Sequence, residues 1–208
     1  MQRVNRILCC SKLCALFLGL FLSFNTLAFP GNAYLQIAHA YNARSSGINA
    51  SDAREMKASA FYGSLVKHMY GKVILVSLSQ QWMYIYKNGQ ELLDTPVTTG
   101  RPQLPTPTGV YHIFRKLSPA TFYSPWPKSS PYWYPPTRVQ YALEWRWGGY
   151  FIHDAWWHTV YGPGTNGWHY DPTYGWEWGS HGCISVPLDV AAWLYSWAPD
   201  GTTVWIVH

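Results

Sequence analysis

Residues Lys72–Gly100 read KVILVSLSQQWMYIYKNGQELLDTPVTTG. Two runs rich in β-branched and aromatic residues flank Lys87-Asn88-Gly89-Gln90. Asn-Gly is the strongest short hairpin signal, because a type I′ turn needs positive φ at both central positions. The stretch predicts a β-hairpin at the start of a β-rich domain. Downstream, Gly109–Arg115 (GVYHIFR) follows the turn-rich RPQLPTPT and reads as another strand. Val139–Trp147 and Gly149–His153 read as a pair joined at Gly148-Gly149, and Thr202–Val207 closes the chain as a last strand. One helix interrupts this pattern, in PLDVAAWLYSW. Pro187 suits its first turn, Asp189 complements its dipole, and Val190, Trp193, Leu194 and Trp197 mark its expected buried face. The fold class is therefore β-rich (α+β).

Upstream of Lys72 the pattern is different. Residues 29–71 read as a helical segment, with Asp52 and Glu55 forming a capping-box pattern. Met56, Ala60, Leu65 and Met69 keep a helical period until Gly71. Residues 1–28 have the layout of a secretory signal: Arg3, Arg6 and Lys12, then an apolar Leu13–Phe24, then the small residues of Thr26-Leu27-Ala28. Export to the periplasm, cell wall or exterior is the expectation. An uncleaved segment would instead anchor the chain to the membrane, although the apolar run is short for a span. From Phe29 to His208 there are 180 residues, enough for one domain with a real core.

Only 12% of the chain is charged and 48% is hydrophobic, which excludes a disordered polymer. Removing Arg3, Arg6 and Lys12 from the 15 Lys and Arg leaves 12 against 10 Asp and Glu, a net +2. No Lys/Arg cluster marks a nucleic-acid partner. The chain carries 13 Trp and 16 Tyr. Most of the Trp lie between Trp126 and Trp178, in a tract also rich in Gly and Pro. Such a tract reads as long ordered loops, most of its rings filling the space beneath them and one or two walling a cleft.

Chemistry concentrates in SHGCISVP, Ser180–Pro187. Cleavage after Ala28 would remove Cys9, Cys10 and Cys14 and leave Cys183 as the lone thiol of the mature chain. Such a thiol is a buried small hydrophobe, a reactive nucleophile, or half of an intermolecular bridge. Its position just before a helix N-terminus favours chemistry, because amide dipoles there would support a thiolate and an oxyanion. A thiol nucleophile needs a base. Among the histidines, His153 at the end of GGYFIHDA is the best placed, at a strand end leading into a loop. His158 and His169 read as loop residues, and His181 as a residue shaping the pocket.

KVILVSLSQQWMYIY with KNGQ, TPVTTG, PTPTGVYHI, GGYFIHDA, SHGCISVP and DGTTVWIV occur in a fixed order. Together they resemble the YkuD family of L,D-transpeptidases over residues 72–208. The resemblance implies a YkuD-type β-sandwich or mixed sheet with a helix after the cysteine, and peptidoglycan stem peptides as partner. It implies Cys183 as nucleophile and His153 as proton acceptor and donor, with the Asp154 backbone carbonyl orienting the imidazole. Backbone amides at Gly182 and Cys183 would form the oxyanion hole. Ser180, His181, Trp156 and Trp157 are assigned to substrate binding. No cofactor or metal is expected, since a Cys-His zinc site would need more ligands than this loop offers. The implied reaction is thioester formation with release of D-alanine and acyl transfer to an amine. An L,D-carboxypeptidase on the same scaffold and a non-catalytic wall-binding module are the alternatives.

This sequence departs from the family pattern in three places. Ser185 stands where many relatives have Arg or Asn, which would move donor holding to a residue such as Arg138 or Arg146. Asp154 replaces a Gly, and 26 residues separate His153 from Ser180. The extra length, the Trp-rich tract, reads as a lid or groove wall.

Overall fold

The computed structural model describes residues 60–208; the expected leader and most of the expected N-terminal helical segment lie outside the described residues. The opening stretch folds as three strands rather than two, β1 (Lys72–Ser77), β2 (Trp82–Lys87) and β3 (Gln90–Pro96). The extra turn falls in Leu78–Gln81, where Gln81 takes a positive φ of 52°. Its side chain makes that turn affordable to the fold: Nε2 donates to Leu78 O and Thr99 Oγ1, each at 2.7 Å, and Oε1 accepts from Thr99 N at 2.8 Å. At the predicted turn Asn88 and Gly89 have φ of 51° and 76°, the pair of positive values that type I′ requires.

β4 (Gly109–His112) and β13 (Thr203–Val207) complete a five-stranded sheet in the order β3-β2-β1-β13-β4. β1 and β13 run parallel and the other neighbours antiparallel. The strand read over Gly109–Arg115 breaks at Ile113-Phe114. Its end becomes β5 (Arg115–Leu117) in a second sheet, ordered β12-β9-β8-β5. β8 (Ala142–Arg146) and β9 (Tyr150–Asp154) are antiparallel across Gly148-Gly149, and β12 (Ile184–Val186) is parallel to β9. A small pair, β6 (Ala120–Phe122) with β7 (Thr137–Val139), packs beside this sheet.

The main core lies between the two sheets. Ile74, Val76, Met83, Ile85, Val204 and Ile206 meet Leu143, Trp145, Ile152, Ile184 and Val186 there. The opposite face of the first sheet is also covered. Val73, Leu75, Tyr84 and Tyr86 pack with Tyr62 and Val66 of the helical residues 60–66. Tyr62 donates its hydroxyl to Ser77 Oγ at 3.1 Å. Burial of both faces explains why VILV, Val73–Val76, is an unbroken apolar run, where a half-exposed strand would alternate. The helical period reaches Met69 in sequence, but the helix ends at residue 66 and a turn follows.

Helix α1 (Leu188–Trp197) closes the main core with Val190, Ala191 and Leu194. Trp193 and Trp197, expected to be buried, are half-buried and stack on each other at 5.2 Å, with Lys72 Nζ 4.9 Å from the Trp197 ring. Indoles of that size fit at the core margin, where Ala191 takes the inner position. No helix among the described residues is long and apolar enough to cross a membrane.

Ile206 is 1% exposed on a strand hydrogen-bonded on both sides. Truncation there deletes core methyl groups without a route for collapse. Ile206→Ala is expected to lower unfolding free energy by about 2–5 kcal/mol in urea denaturation. A loss under about 1 kcal/mol would show that the two sheets can close the gap.

Candidate active site

β12 and β9 pair with Ser185 opposite His153 and Ile184 opposite Ile152. Side chains alternate along a strand, and paired residues share a face. Ile184, Val186 and Ile152 enter the main core, so Ser185 and His153 point the other way. Cys183, two residues before Ser185, extends that outer row. All three line one cavity of about 500 Å³.

His153 is 3% exposed, with Phe122 edge-on at 5.1 Å and Trp157 at 5.9 Å between ring centres. Its Nδ1 lies 2.8 Å from Asp154 O. A carbonyl only accepts, so the neutral ring holds its proton on Nδ1 and leaves Nε2 bare as an acceptor. Burial pushes the imidazole down to about 4, outweighing the Asp154 carbonyl and carboxylate. The Asp154 side chain has separate work. Its Oδ1 accepts from Gln140 N at 2.9 Å and Tyr141 N at 2.7 Å, pinning the approach to β8.

Cys183 is a free thiol and half-buried, packed against the Ala120, Val139, Ala142 and Phe151 cluster. It donates to Gly149 O at 3.4 Å. Burial pushes the thiol up to about 11, against a smaller downward pull from the Phe151 amide. Nor does Cys183 stand directly before the helix, as expected. Ile184–Val186 form a strand between the thiol and α1, and a helix dipole acts over little more than its first turn. Both members of the pair rest neutral.

The turn that presents the thiol is held from several sides. Ser180 Oγ donates to Cys183 O at 2.6 Å and accepts from Gly182 N at 3.0 Å. The Gly182 amide, expected to face an oxyanion, is thus engaged within its own turn. Gly182 has φ of +109°, and a Cβ there would sit 2.8 Å from Tyr150 Cε1. Only glycine fits without moving that ring. Thr106 Oγ1 accepts from Gly100 N at 2.9 Å and donates to Gly182 O at 3.0 Å, joining PTPTG and TPVTTG to the thiol loop.

Trp156 and Trp157 line the cavity, as does His181. His181 packs between Trp126 at 5.4 Å and Tyr134 at 5.1 Å, and burial followed by the Arg101 charge pushes it down to about 4. The Trp-rich tract differs from the loops expected of it. It contains a hairpin, β10 (Trp168–Asp171) with β11 (Gly175–Trp178), whose Trp168, Trp176 and Trp178 are 52%, 61% and 39% exposed and line the cavity. These three rings wall the cleft and do not fill space under loops, because the hairpin forms a two-stranded sheet of its own beside the cavity. His169 lies on β10 and is a strand residue, not a loop one.

Sequence reasoning missed Arg101. Among the described residues lining the cavity it alone carries a guanidinium. Its Nε donates to Gly179 O at 3.1 Å and Ser180 O at 3.3 Å. Arg138 and Arg146 do not line the cavity. Arg138 O accepts from Trp156 Nε1, and Arg146 borders a separate depression with Trp145 and Trp147. The only sequence signal for Arg101 was its place directly after TPVTTG.

Residues 71–206 match the YkuD family, described as the L,D-transpeptidase catalytic domain. L,D-transpeptidase 1 of Mycobacterium tuberculosis is 27% identical over 138 residues, 64% of this chain and 49% of that protein. The chain thus spans about half the length of the curated relatives it matches. The catalytic domain of the Enterococcus faecium L,D-transpeptidase is 32% identical with a TM-score of 0.53, covering 67% of this chain and 99% of that one. An L,D-transpeptidase in complex with imipenem is 26% identical with a TM-score of 0.56, covering 66% and 59%.

The neutral resting pair has a measurable consequence. Thiolate is the reactive form, so alkylation of Cys183 by iodoacetamide should rise about tenfold per pH unit from 7 to 10 without levelling. A plateau beginning below pH 7 would mean a preformed thiolate–imidazolium pair.

Proposed function

This chain belongs to the YkuD L,D-transpeptidase catalytic-domain family, and from that premise we propose that it is an acyltransferase acting on peptidoglycan stem peptides through a Cys183 thioester. The observation that carries the reading is the shared outer row of β12 and β9. It puts Cys183 and His153 in one cavity, with His153 Nε2 left bare by the Nδ1–Asp154 O hydrogen bond.

Because both groups rest neutral, the thiol proton passes to His153 Nε2 as the sulfur attacks the donor carbonyl, rather than beforehand. The thiol leaves its contact with Gly149 O in that step. The tetrahedral oxyanion needs amide donors; the Gly182 amide becomes one when Ser180 Oγ releases it. Collapse expels D-alanine, whose amine takes the proton from His153. The acceptor amine then attacks the thioester, giving its proton to His153 in turn, and Cys183 regains a proton as the new amide forms. A buried imidazole with a depressed pKa does not hold the proton for long, which suits a relay.

Arg101 serves as the receptor for a donor carboxylate. Its backbone anchors fix the guanidinium at the cavity wall, and a guanidinium pairs a carboxylate bidentately. This takes over the task that Ser185 is too short to perform. Trp156, Trp157 and the hairpin tryptophans supply flat apolar contact to the rest of the stem or its sugar.

A tetrapeptide-stem donor followed by mass spectrometry tests the reading. The wild-type protein is expected to release D-alanine and form a cross-linked dimer, with Cys183→Ala slower by at least ~10³-fold while folded. Release by that variant would overturn it, and free tripeptide without dimer would assign hydrolysis instead. In the same assay Arg101→Gln should raise KM by about tenfold with a smaller change in kcat; an unchanged KM would remove Arg101 from donor binding. We infer export from the layout of residues 1–28. N-terminal sequencing of envelope-associated protein should begin at Phe29, and retention of Met1 there would make the segment an anchor.

A further inference from the structure

The insert between His153 and Ser180 brings together a second set of polar groups, apart from the Cys183–His153 pair. β10 and β11 are antiparallel with His169 directly opposite Glu177. His158, on the loop after Trp156-Trp157, faces the same carboxylate. His158 Nδ1 is 2.5 Å from Glu177 Oε1, and His169 Nε2 is 3.4 Å from that oxygen. One donor atom from each residue lies within 4.8 Å of the others. The side chains are 2%, 13% and 16% exposed for His158, His169 and Glu177, and the two imidazoles stack at 6.2 Å.

The tautomer of His169 points to a cation. Its Nδ1 lies 3.2 Å from Gly167 O, which can only accept, so the neutral ring carries its proton there. Nε2 then turns a lone pair toward a carboxylate oxygen, and it is buried without a hydrogen-bond partner. Lone pair and carboxylate repel unless a proton or metal ion lies between them. An imidazole steadied through its far nitrogen by a backbone carbonyl is the arrangement that metal-binding histidines use.

The frame around the cluster does not depend on it. Asp171 is fully buried and accepts from Thr159 N at 2.5 Å, Thr159 Oγ1 at 2.7 Å and Val160 N at 3.1 Å. It also accepts from Thr173 N at 2.7 Å and Tyr174 N at 3.1 Å. One carboxylate thus ties the loop that carries His158 to the hairpin that carries His169 and Glu177.

We propose that His158, His169 and Glu177 bind a divalent transition-metal ion of the zinc class, which staples the Trp-rich hairpin to the loop beside the cavity. Two imidazole nitrogens and one carboxylate suit zinc, whereas calcium and magnesium prefer oxygen alone. On binding, the neutral His158 ring changes tautomer, its proton moving from Nδ1 to Nε2 through solvent, and the metal takes its place at Nδ1. Ligands of a tetrahedral ion stand roughly 3.3 Å apart, so His158 and Glu177 separate by less than about 1 Å. Both line the cavity, which leaves the fourth position to water or a ligand carboxylate from that side. The site uses neither Cys183 nor His153.

The test uses the full chain with Cys9, Cys10, Cys14 and Cys183 replaced by alanine, so that thiols cannot contribute. Calorimetric titration with Zn²⁺ is expected to show one equivalent bound, and Co²⁺ in its place should give the intense visible absorption of a four-coordinate site. Saturating Zn²⁺ should raise Tm. His169→Ala and Glu177→Gln should each weaken binding at least about tenfold. Absence of saturable binding to the cysteine-free chain would overturn the proposal without recourse to any site variant. So would equal affinity in the His158→Ala, His169→Ala, Glu177→Gln triple variant.

Discussion

The three-residue parallel pairing of β12 with β9 is the constraint on which the site depends. Parallel strands pair less favourably than antiparallel ones, and three residues is a short ladder. β12 persists because it is held on its other side as well. Thr98 and Ser185 exchange both backbone hydrogen bonds, at 3.0 and 2.8 Å, and Ser180 N donates to Thr99 O at 2.9 Å. Gln81 in turn clamps Thr99, and Thr106 bridges Gly100 to Gly182. Sequence blocks spread over about half the chain thereby converge on one strand, whose inner residues belong to the core and whose outer row carries the chemistry.

Burial then sets the electrostatics. An exposed Cys-His couple would exchange its proton readily at neutral pH. Here desolvation raises the thiol and lowers the imidazole together, and the neutral pair is the stable one. Asp154 shows how one residue serves two ends: its carbonyl sets the imidazole tautomer, and its carboxylate anchors the Gln140-Tyr141 turn.

The insert follows a different economy. The hairpin tryptophans Trp168, Trp176 and Trp178 face the cavity and solvent, so their burial contributes little to holding the hairpin in place. Charge and hydrogen bonding do that work, through Asp171 with its five donors and through Glu177 between two histidines. An element built in this way can offer flat apolar walls to a ligand without having to bury them in its own core.

Much of this was legible along the chain. Asn88-Gly89 declared its turn because few residues accept positive φ, and Gly148-Gly149 declared another. SHGCISVP and the upstream Ile-His picked out Cys183 and His153, two residues that line one cavity. Local pattern did not separate β1 from β2, because Leu78-Ser79-Gln80-Gln81 holds none of the Gly, Pro or Asn residues that signal a turn. Nor could it show the strand between Cys183 and α1, which exists only because β9 and Thr98 lie on either side. Arg101 and the His158, His169, Glu177 cluster have no telling spacing in sequence. Pairing and loop packing brought them together, and burial alone decided that the thiol and imidazole rest uncharged. Local conformational preference and residue chemistry are carried by the sequence itself; distances, register and desolvation arise only when distant segments share one core.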